Sequence, residues 1–188
     1  KLYCVSGHVE KPGVYEFACG VNLLEVIETA GGVWKGRSLK AVIPGGVSSK
    51  ILRADECDVS KTFDSMKEAG TMLGSAGMIV LDETTCMVDA LWNVLRFFRH
   101  ESCGQCTPCR EGIGWMEKIV GRIERGEGRE GDLDTLLDIA AKMQGTTICA
   151  FSDAAAWPAE SYTLKFRSEF EEHIAMKGCP MKIGVSGR

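Results

Sequence analysis

The spacing of hydrophobic residues changes near residue 84, and this change divides the chain into two parts. In the first part, short apolar runs are separated by turn residues, which is typical of strands joined by tight turns. The pattern predicts strands over residues 1–9, 13–17 and 41–43 and, after the capping residue Asn22, a helix over residues 23–30. The order strand, strand, helix, strand is that of a β-grasp domain over residues 1–60, although many small α+β folds share it.

After residue 84, hydrophobic residues recur every three or four positions, which is the period of amphipathic helices. The pattern contains four such stripes: Val88, Leu91, Leu95 and Phe98; Ile113, Met116, Val120 and Ile123; Leu133, Leu136, Ala140 and Met143; and Tyr162, Phe166, Phe170 and Ile174. Thr84 or Thr85 is expected to cap the first helix, and the fourth is expected to begin after Pro158. Because no such helix buries its stripe alone, residues 87–176 are predicted to form a four-helix bundle.

Two further segments complete the predicted organisation. Residues 61–86 are interpreted as a glycine-rich connector with a strand at residues 78–81, and residues 177–188 as a C-terminal tail. The glycines of the connector precede its strand, whereas in a dinucleotide-binding fingerprint they follow one, and the chain contains no Gly-x-Gly-x-x-Gly. The fold class is therefore predicted as α+β: a small β-grasp domain followed by an all-α bundle, with no recognisable nucleotide site.

The residues with the clearest chemistry lie between the first two bundle helices, where Cys103, Cys106 and Cys109 form a Cys-x2-Cys-x2-Cys run. Glycine and proline within the run favour a turn that directs three thiols at one small volume, as a cubane iron–sulfur cluster requires. Zinc is an alternative, but Cys4 zinc sites usually divide their ligands two and two, whereas three lie together here. Buried, reduced cysteines without a metal are a second alternative.

The topology of a bundle indicates where a fourth sulfur lies. In an up-down-up-down bundle the first and third connections lie at the same end, and Cys149 is in the third connection. Cys179 is a weaker candidate because it follows the last helix, and Cys86 lies at the far end of the first helix. The thiols outside the proposed set are interpreted as ordinary ones: Cys4, Cys19, Cys57, Cys86 and Cys179.

Composition excludes several classes of protein. A chain of 188 residues with 45% hydrophobic and 26% charged residues is ordinary for one or two globular domains. The formal net charge of −4 leaves no basic excess for binding nucleic acid. No apolar run approaches the ~18 residues that span a membrane, so direct membrane insertion is not expected. Nine cysteines at irregular spacing favour a reducing compartment and a metal site over a disulfide framework.

These motifs carry a resemblance to a known family. The NADH-binding flavoprotein subunit of respiratory complex I, and the diaphorase subunits of NAD-linked hydrogenases and formate dehydrogenases, are similar at residues 100–112, 147–150 and 154–158. The soluble-ligand-binding β-grasp (SLBB) domain of that subunit is similar at residues 7–13 and 43–46. The resemblance implies that a [4Fe-4S] cluster is held by Cys103, Cys106, Cys109 and Cys149. Because the chain begins within a strand, it is expected to be the C-terminal part of a longer subunit.

The resemblance also implies a function and partners. In that family FMN takes a hydride from NADH, and the cluster passes electrons singly to partner subunits. FMN and NADH are expected in an N-terminal part of the same subunit, and the further implied partners are a thioredoxin-like [2Fe-2S] subunit and a larger iron–sulfur subunit. The expected location is cytoplasmic. The predicted function is therefore the electron-transfer part of an NADH dehydrogenase (NADH:quinone oxidoreductase). The alternatives are a diaphorase subunit of a formate dehydrogenase or hydrogenase, and a zinc-stapled structural module.

Overall fold

The computed structural model describes residues 1–182, which form two compact units. The first unit is Lys1–Thr85, and the second begins at Cys86. A mixed five-stranded sheet lies in the first unit, while the second is built from helices in its described residues. The predicted α+β class is thereby confirmed.

The sheet of the first unit contains every strand that the sequence predicts. Its strands are β1 (Leu2–Gly7), β2 (Gly13–Glu16), β3 (Leu39–Ile43), β4 (Leu52–Arg53) and β5 (Met78–Asp82), in the order β2-β1-β5-β3-β4. The predicted helix is α1 (Leu23–Thr29), and the Asn22 side chain caps it by accepting a hydrogen bond from the Leu24 amide at 2.9 Å. Residues of the sheet and of α1 share one hydrophobic core, which includes Tyr3, Val26 and Val80.

The segment 61–86 does more than connect two domains. It supplies α2 (Phe63–Glu68) and then β5, which is the middle strand of the sheet. β5 pairs in parallel with β1, where Val5 lies opposite Met78, and antiparallel with β3, where Val42 lies opposite Val80. The connector interpretation is therefore corrected, because a strand hydrogen-bonded on both edges is an integral part of the sheet.

The second unit contains five helices within its described residues: α3 (Met87–Glu101), α4 (Thr107–Glu124), α5 (Asp132–Met143), α6 (Phe151–Lys165) and α7 (Arg167–Met176). The stripes predicted for α3, α4 and α5 are buried at every position. α3 packs against α4 and α6, and α5 packs against the same two helices. The cap of α3 is neither predicted threonine but Cys86, whose Sγ accepts from the Asp89 amide at 3.4 Å.

The fourth predicted helix is longer than expected and consists of two helices. α6 begins at Phe151, seven residues before Pro158, and the chain breaks at Phe166 before α7. The first turns of α6 bury Ser152, Ala155 and Ala156, which lie on one face of the helix at i, i+3 and i+4. Because the buried residues are small or polar, they differ little in hydrophobicity from the exposed ones, and the sequence lacks the stripe that reveals an amphipathic helix. The true start of α6 places Cys149 immediately ahead of a helix.

No helix within residues 1–182 is long and apolar enough to cross a membrane.

Candidate metal centre

The connection between α3 and α4 positions three of the predicted cysteines. α3 ends at Glu101, and Gly104 then turns the chain with a φ of 77°, a conformation that glycine adopts without strain. Cys106 is the N-cap of α4, and Cys109 lies in the first turn of that helix. A proline follows Cys106 at the start of α4, where its missing N–H costs no helical hydrogen bond. The turn and the helix start therefore hold these thiols together.

The connection between α5 and α6 positions the fourth cysteine. The Gly145 amide donates to the Asp153 carboxylate at 2.7 Å, and the Thr146 hydroxyl donates to the Met143 carbonyl at 2.7 Å. Nearer the cysteine, the Thr147 hydroxyl donates to the carbonyl of Cys149 at 2.9 Å. These bonds satisfy polar groups within the connection and fix its course. Cys149 is thereby placed two residues before α6.

The four cysteines line one cavity. Its volume is about 200 Å³, and it is lined by Glu101, Cys103, Cys106, Cys109, Thr147, Cys149 and Phe151. Cys109 is buried, Cys106 is half-buried, and Cys103 and Cys149 are exposed. Phe151 packs edge-on against Phe98 with ring centroids 5.4 Å apart, which forms an aromatic wall beside the cavity. The structure thus brings together the four thiols that the sequence singled out.

The size and chemistry of the cavity fit an iron–sulfur cluster. Cysteine sulfurs are the ligands of such clusters, and four cysteines line this cavity. A water molecule occupies about 30 Å³ in the liquid, so a cavity of about 200 Å³ has room for a group of several atoms. A single zinc ion would instead draw four sulfurs to about 2.3 Å from one point. Four cysteine sulfurs can hold either group, so it is the space that favours a cluster over a lone ion.

The surroundings of the cavity favour negative charge. Helix α4 begins within the cysteine run, with Cys106 as its N-cap. The free amide groups at a helix N-terminus attract anions, so this end of α4 favours negative charge on the cysteine sulfurs. The Arg110 guanidinium donates to the Gly104 carbonyl at 2.7 Å, which ties it to the loop, although it also pairs with Glu111 at 2.9 Å. The Ser102 hydroxyl lies 3.3 Å from the Cys109 sulfur, within hydrogen-bonding distance. These groups would offset the charge that deprotonated cysteines carry.

Three residues that lie close to the cysteines in the sequence, Arg99, Trp115 and Trp157, have their contacts outside the cysteine cavity. Arg99 pairs with Glu117 at 2.7 Å, and Trp157 donates to Gln144 at 3.1 Å. Trp115 is about half exposed and lines a separate surface cavity with Asp138 and Lys142 among others.

A second group of metal-binding side chains was not predicted from the sequence. Cys86, Glu124, His173 and Cys179 are all buried, and each offers a ligand atom within 4.8 Å of the others. From sequence, both of these cysteines are interpreted as ordinary thiols, because Cys179 follows the last helix and Cys86 lies at the far end of the first helix. Helical spacing alone could have shown that Cys86 and Glu124 lie at the same end of the bundle, but no sequence signal pairs them with His173.

The comparisons with known proteins agree with this division of the chain. Residues 89–173 match the family described as the NADH-ubiquinone oxidoreductase-F iron-sulfur binding region, and residues 1–80 match the SLBB domain. An F-type NADH-quinone oxidoreductase subunit of Rhizobium meliloti (strain 1021) is 50% identical over 96% of this chain and 43% of its own length. The corresponding F-type protein of Rickettsia felis (strain ATCC VR-1525 / URRWXCal2) is 48% identical over 93% of this chain and 42% of its own length.

Solved structures give the same result. An NAD+-reducing [NiFe]-hydrogenase in its air-oxidized state superposes with a TM-score of 0.83 and 32% identity, covering 93% of this chain and 30% of that one. The chain spans less than half the length of the curated relatives it matches. Its cysteine cavity lies within the matched iron–sulfur region, and its sheet lies within the matched SLBB domain. The chain therefore carries an SLBB domain followed by an iron–sulfur binding region of the NADH-ubiquinone oxidoreductase-F type, and over this length it is similar to the F-type subunits of NADH-quinone oxidoreductase.

Proposed function

We propose that Cys103, Cys106, Cys109 and Cys149 hold a [4Fe-4S] cluster and that the chain is the electron-transfer part of an NADH:quinone oxidoreductase subunit. The observation that carries the proposal is the convergence of these four thiols on one cavity within the matched iron–sulfur region. When bound, such a cluster supplies one-electron chemistry, taking up and releasing single electrons. The protein residues supply ligation, partial burial and the local charge.

Each part of the site has a separate role in this proposal. The buried Cys109 and half-buried Cys106 provide ligands on the side where the helices enclose the cavity. The hydroxyl of Ser102 and the amides at the start of α4 stabilise negative charge on the sulfurs and thereby raise the reduction potential. Arg110 bonds to the loop and shares its positive charge with Glu111.

The exposed side of the cavity suggests where other parts of the assembly dock. Cys103 and Cys149 are exposed, and Ile148 beside them is 86% exposed although it is strongly apolar. The two exposed sulfurs leave one side of the redox site open, where an electron donor or acceptor can approach it. We assign this surface to the N-terminal FMN- and NADH-binding part of the same subunit, to the thioredoxin-like [2Fe-2S] subunit or to the larger iron–sulfur subunit. We propose a cytoplasmic location for the assembly.

A diaphorase subunit of an NAD-linked hydrogenase is the second candidate function. It is favoured by the superposition on the NAD+-reducing [NiFe]-hydrogenase. The sequence identity to that chain is 32%, compared with 50% to the Rhizobium meliloti oxidoreductase protein, so the first candidate is preferred. The cysteine cavity would have the same role in either assembly.

Cysteine-to-serine variants test the ligand set. Cys106→Ser and Cys149→Ser are expected to lower the iron and acid-labile sulfide content of anaerobically purified protein, because each removes a thiolate ligand. Cys19→Ser is the matched control, since this exposed thiol belongs to the first unit, and its iron content should equal that of the wild type. Unchanged iron in Cys149→Ser would remove Cys149 from the set and overturn the proposal.

A further inference from the structure

The second group of side chains lies at the opposite end of α3 from the cysteine cavity. Cys86 is the N-cap of α3, and the 15 residues of this helix span about 22 Å at 1.5 Å per residue. Glu124 is the last residue of α4, His173 lies in the last turn of α7, and Cys179 follows that helix. Four separate places in the chain therefore converge on one buried point.

The contacts within the group resemble those of a metal site. The Cys86 sulfur lies 3.3 Å from Nε2 of His173, and Oε2 of Glu124 lies 3.5 Å from the same nitrogen and 3.7 Å from the same sulfur. Nδ1 of His173 lies 2.6 Å from the carbonyl oxygen of Glu169. A metal-binding histidine typically donates its other ring N–H to a carbonyl in this way, which fixes the tautomer and orients the ring. Nε2 is thus directed toward the other three ligand atoms.

The charges of the group suit a divalent cation. Two thiolates and one carboxylate carry three negative charges, which a divalent ion reduces to one. Lys182 supplies a positive charge, because its Nζ lies 2.7 Å from Oε1 of Glu124, and it shares this charge with the half-exposed Asp89 carboxylate at 3.2 Å. One carboxylate oxygen of Glu124 therefore accepts a hydrogen bond from Lys182, and the other, Oε2, faces the Cys86 sulfur and the His173 imidazole. Buried charges are stable only when they are paired in this manner.

We propose that Cys86, Glu124, His173 and Cys179 bind one zinc ion as a structural site. The donor set of two sulfurs, one nitrogen and one oxygen fits zinc, which takes four ligands in a tetrahedral arrangement from these side-chain types in varying number. All four ligands come from the protein and all are buried, which is the character of a closed structural site rather than a catalytic one. Binding replaces the protons on the two thiols, while Nδ1 of His173 keeps its proton for the Glu169 carbonyl and Nε2 is free to bind the ion.

A zinc ion at this site would crosslink the helices at the end of the bundle opposite the cysteine cavity. The ion would join the start of α3, the end of α4, the end of α7 and the segment that follows α7. Cys86 and His173 are 87 positions apart in the sequence, and a crosslink that closes a long loop removes much freedom from the unfolded chain. The cysteine cavity at the other end of α3 shares no ligand with this site. The iron content therefore reports on the cavity, and the zinc content reports on the second site.

The first test is the metal content of the protein purified in its native assembly from zinc-supplemented medium. Cys179→Ser and His173→Ala are each expected to lose about one zinc per chain relative to the wild type, with iron unchanged. Cys57→Ser is the matched control, because Cys57 is also buried but lies in the first unit, and its zinc content should equal that of the wild type. Equal zinc in the wild type and in both ligand variants would overturn the proposal.

A measurement on the wild type keeps the test valid if a variant fails to fold. X-ray absorption at the zinc edge is expected to give two Zn–S distances near 2.3 Å and two Zn–N/O distances near 2.0–2.1 Å. Wild-type protein without zinc, or with zinc bound by sulfur alone, would contradict the assignment. In either of these cases the group is a hydrogen-bonded cluster in which Lys182 and a protonated His173 neutralise Glu124.

Discussion

Gly126 is a position where one added methyl group is expected to disturb the second unit. It has a φ of 80°, and a Cβ built on it would lie 2.1 Å from the carbonyl oxygen and 2.5 Å from the carbonyl carbon of Lys177. These are backbone atoms, so they yield only if the chain after α7 moves. Gly131 is a natural control: its φ is 83°, but a Cβ there would meet nothing within 4 Å.

The two glycines allow the cost of backbone strain to be separated from the cost of the clash. An L-residue in the left-handed region costs about 1–2 kcal/mol, and this cost applies equally to Gly126→Ala and Gly131→Ala. Overpacking adds about 1–3 kcal/mol at Gly126 alone. We therefore expect Gly131→Ala to lower the free energy of unfolding by about 1–2 kcal/mol and Gly126→Ala by about 2–5 kcal/mol. The same displacement moves the segment that carries Cys179, so Gly126→Ala should also lower the zinc content.

The assay is denaturant unfolding of the purified protein, followed by circular dichroism at the helical band, with the two variants and the wild type measured side by side. The difference between the variants is the quantity of interest, since it cancels the common strain. An equal loss of stability in Gly126→Ala and Gly131→Ala would refute the reasoning, because it would mean that the backbone contact at Lys177 relaxes without cost.

Two further predictions concern buried charges. Burial lowers the pKa of Lys61 from its ordinary value of 10.5 to about 8, so folding opposes the charged form, and the free energy of unfolding should rise between pH 8 and pH 10.5. Denaturant unfolding of Lys61→Met should lack this rise, whereas a profile matching the wild type would exclude Lys61 as its cause. Although burial raises the pKa of Asp132, hydrogen bonds from Arg122 and from the Arg129 amide outweigh it and leave the pKa lowered. Asp132→Asn should therefore cost about 1.5–3 kcal/mol at pH 7, and the effect should fade as the pH falls below about 4. The exposed Asp134→Asn is the control, and an equal loss in both variants would contradict this prediction.

The cysteine run was the part of the site most accessible from sequence. Three thiols within seven positions can converge on one point once the glycine and proline between them turn the chain, and the helical stripes on both sides place them in a connection between helices. Cys149 required one more step, because its proximity depends on the direction of each helix in the bundle. The structure places all four thiols on one cavity, while their role as ligands stays a prediction.

Other features could not be predicted because they depend on contacts between distant residues. β5 was predicted as a strand, but its place between β1 and β3 rests on a parallel pairing of Val5 with Met78, and periodicity carries no information about such partners. The group of Cys86, Glu124, His173 and Cys179 escaped prediction for the same reason. Its members come from four elements, and only the folded chain brings them within 4.8 Å.

The central claim is that the four cysteines of the cavity hold a cluster that carries single electrons. Its most direct test is iron and acid-labile sulfide analysis of anaerobically purified protein, with low-temperature EPR after reduction by dithionite, on the wild type and Cys149→Ser. We expect about four irons and four sulfides per chain in the wild type, with a reduced-cluster signal that is altered or lost in the variant. Protein without sulfide, whose zinc content falls in Cys149→Ser, would contradict the account and make the cavity a structural zinc site.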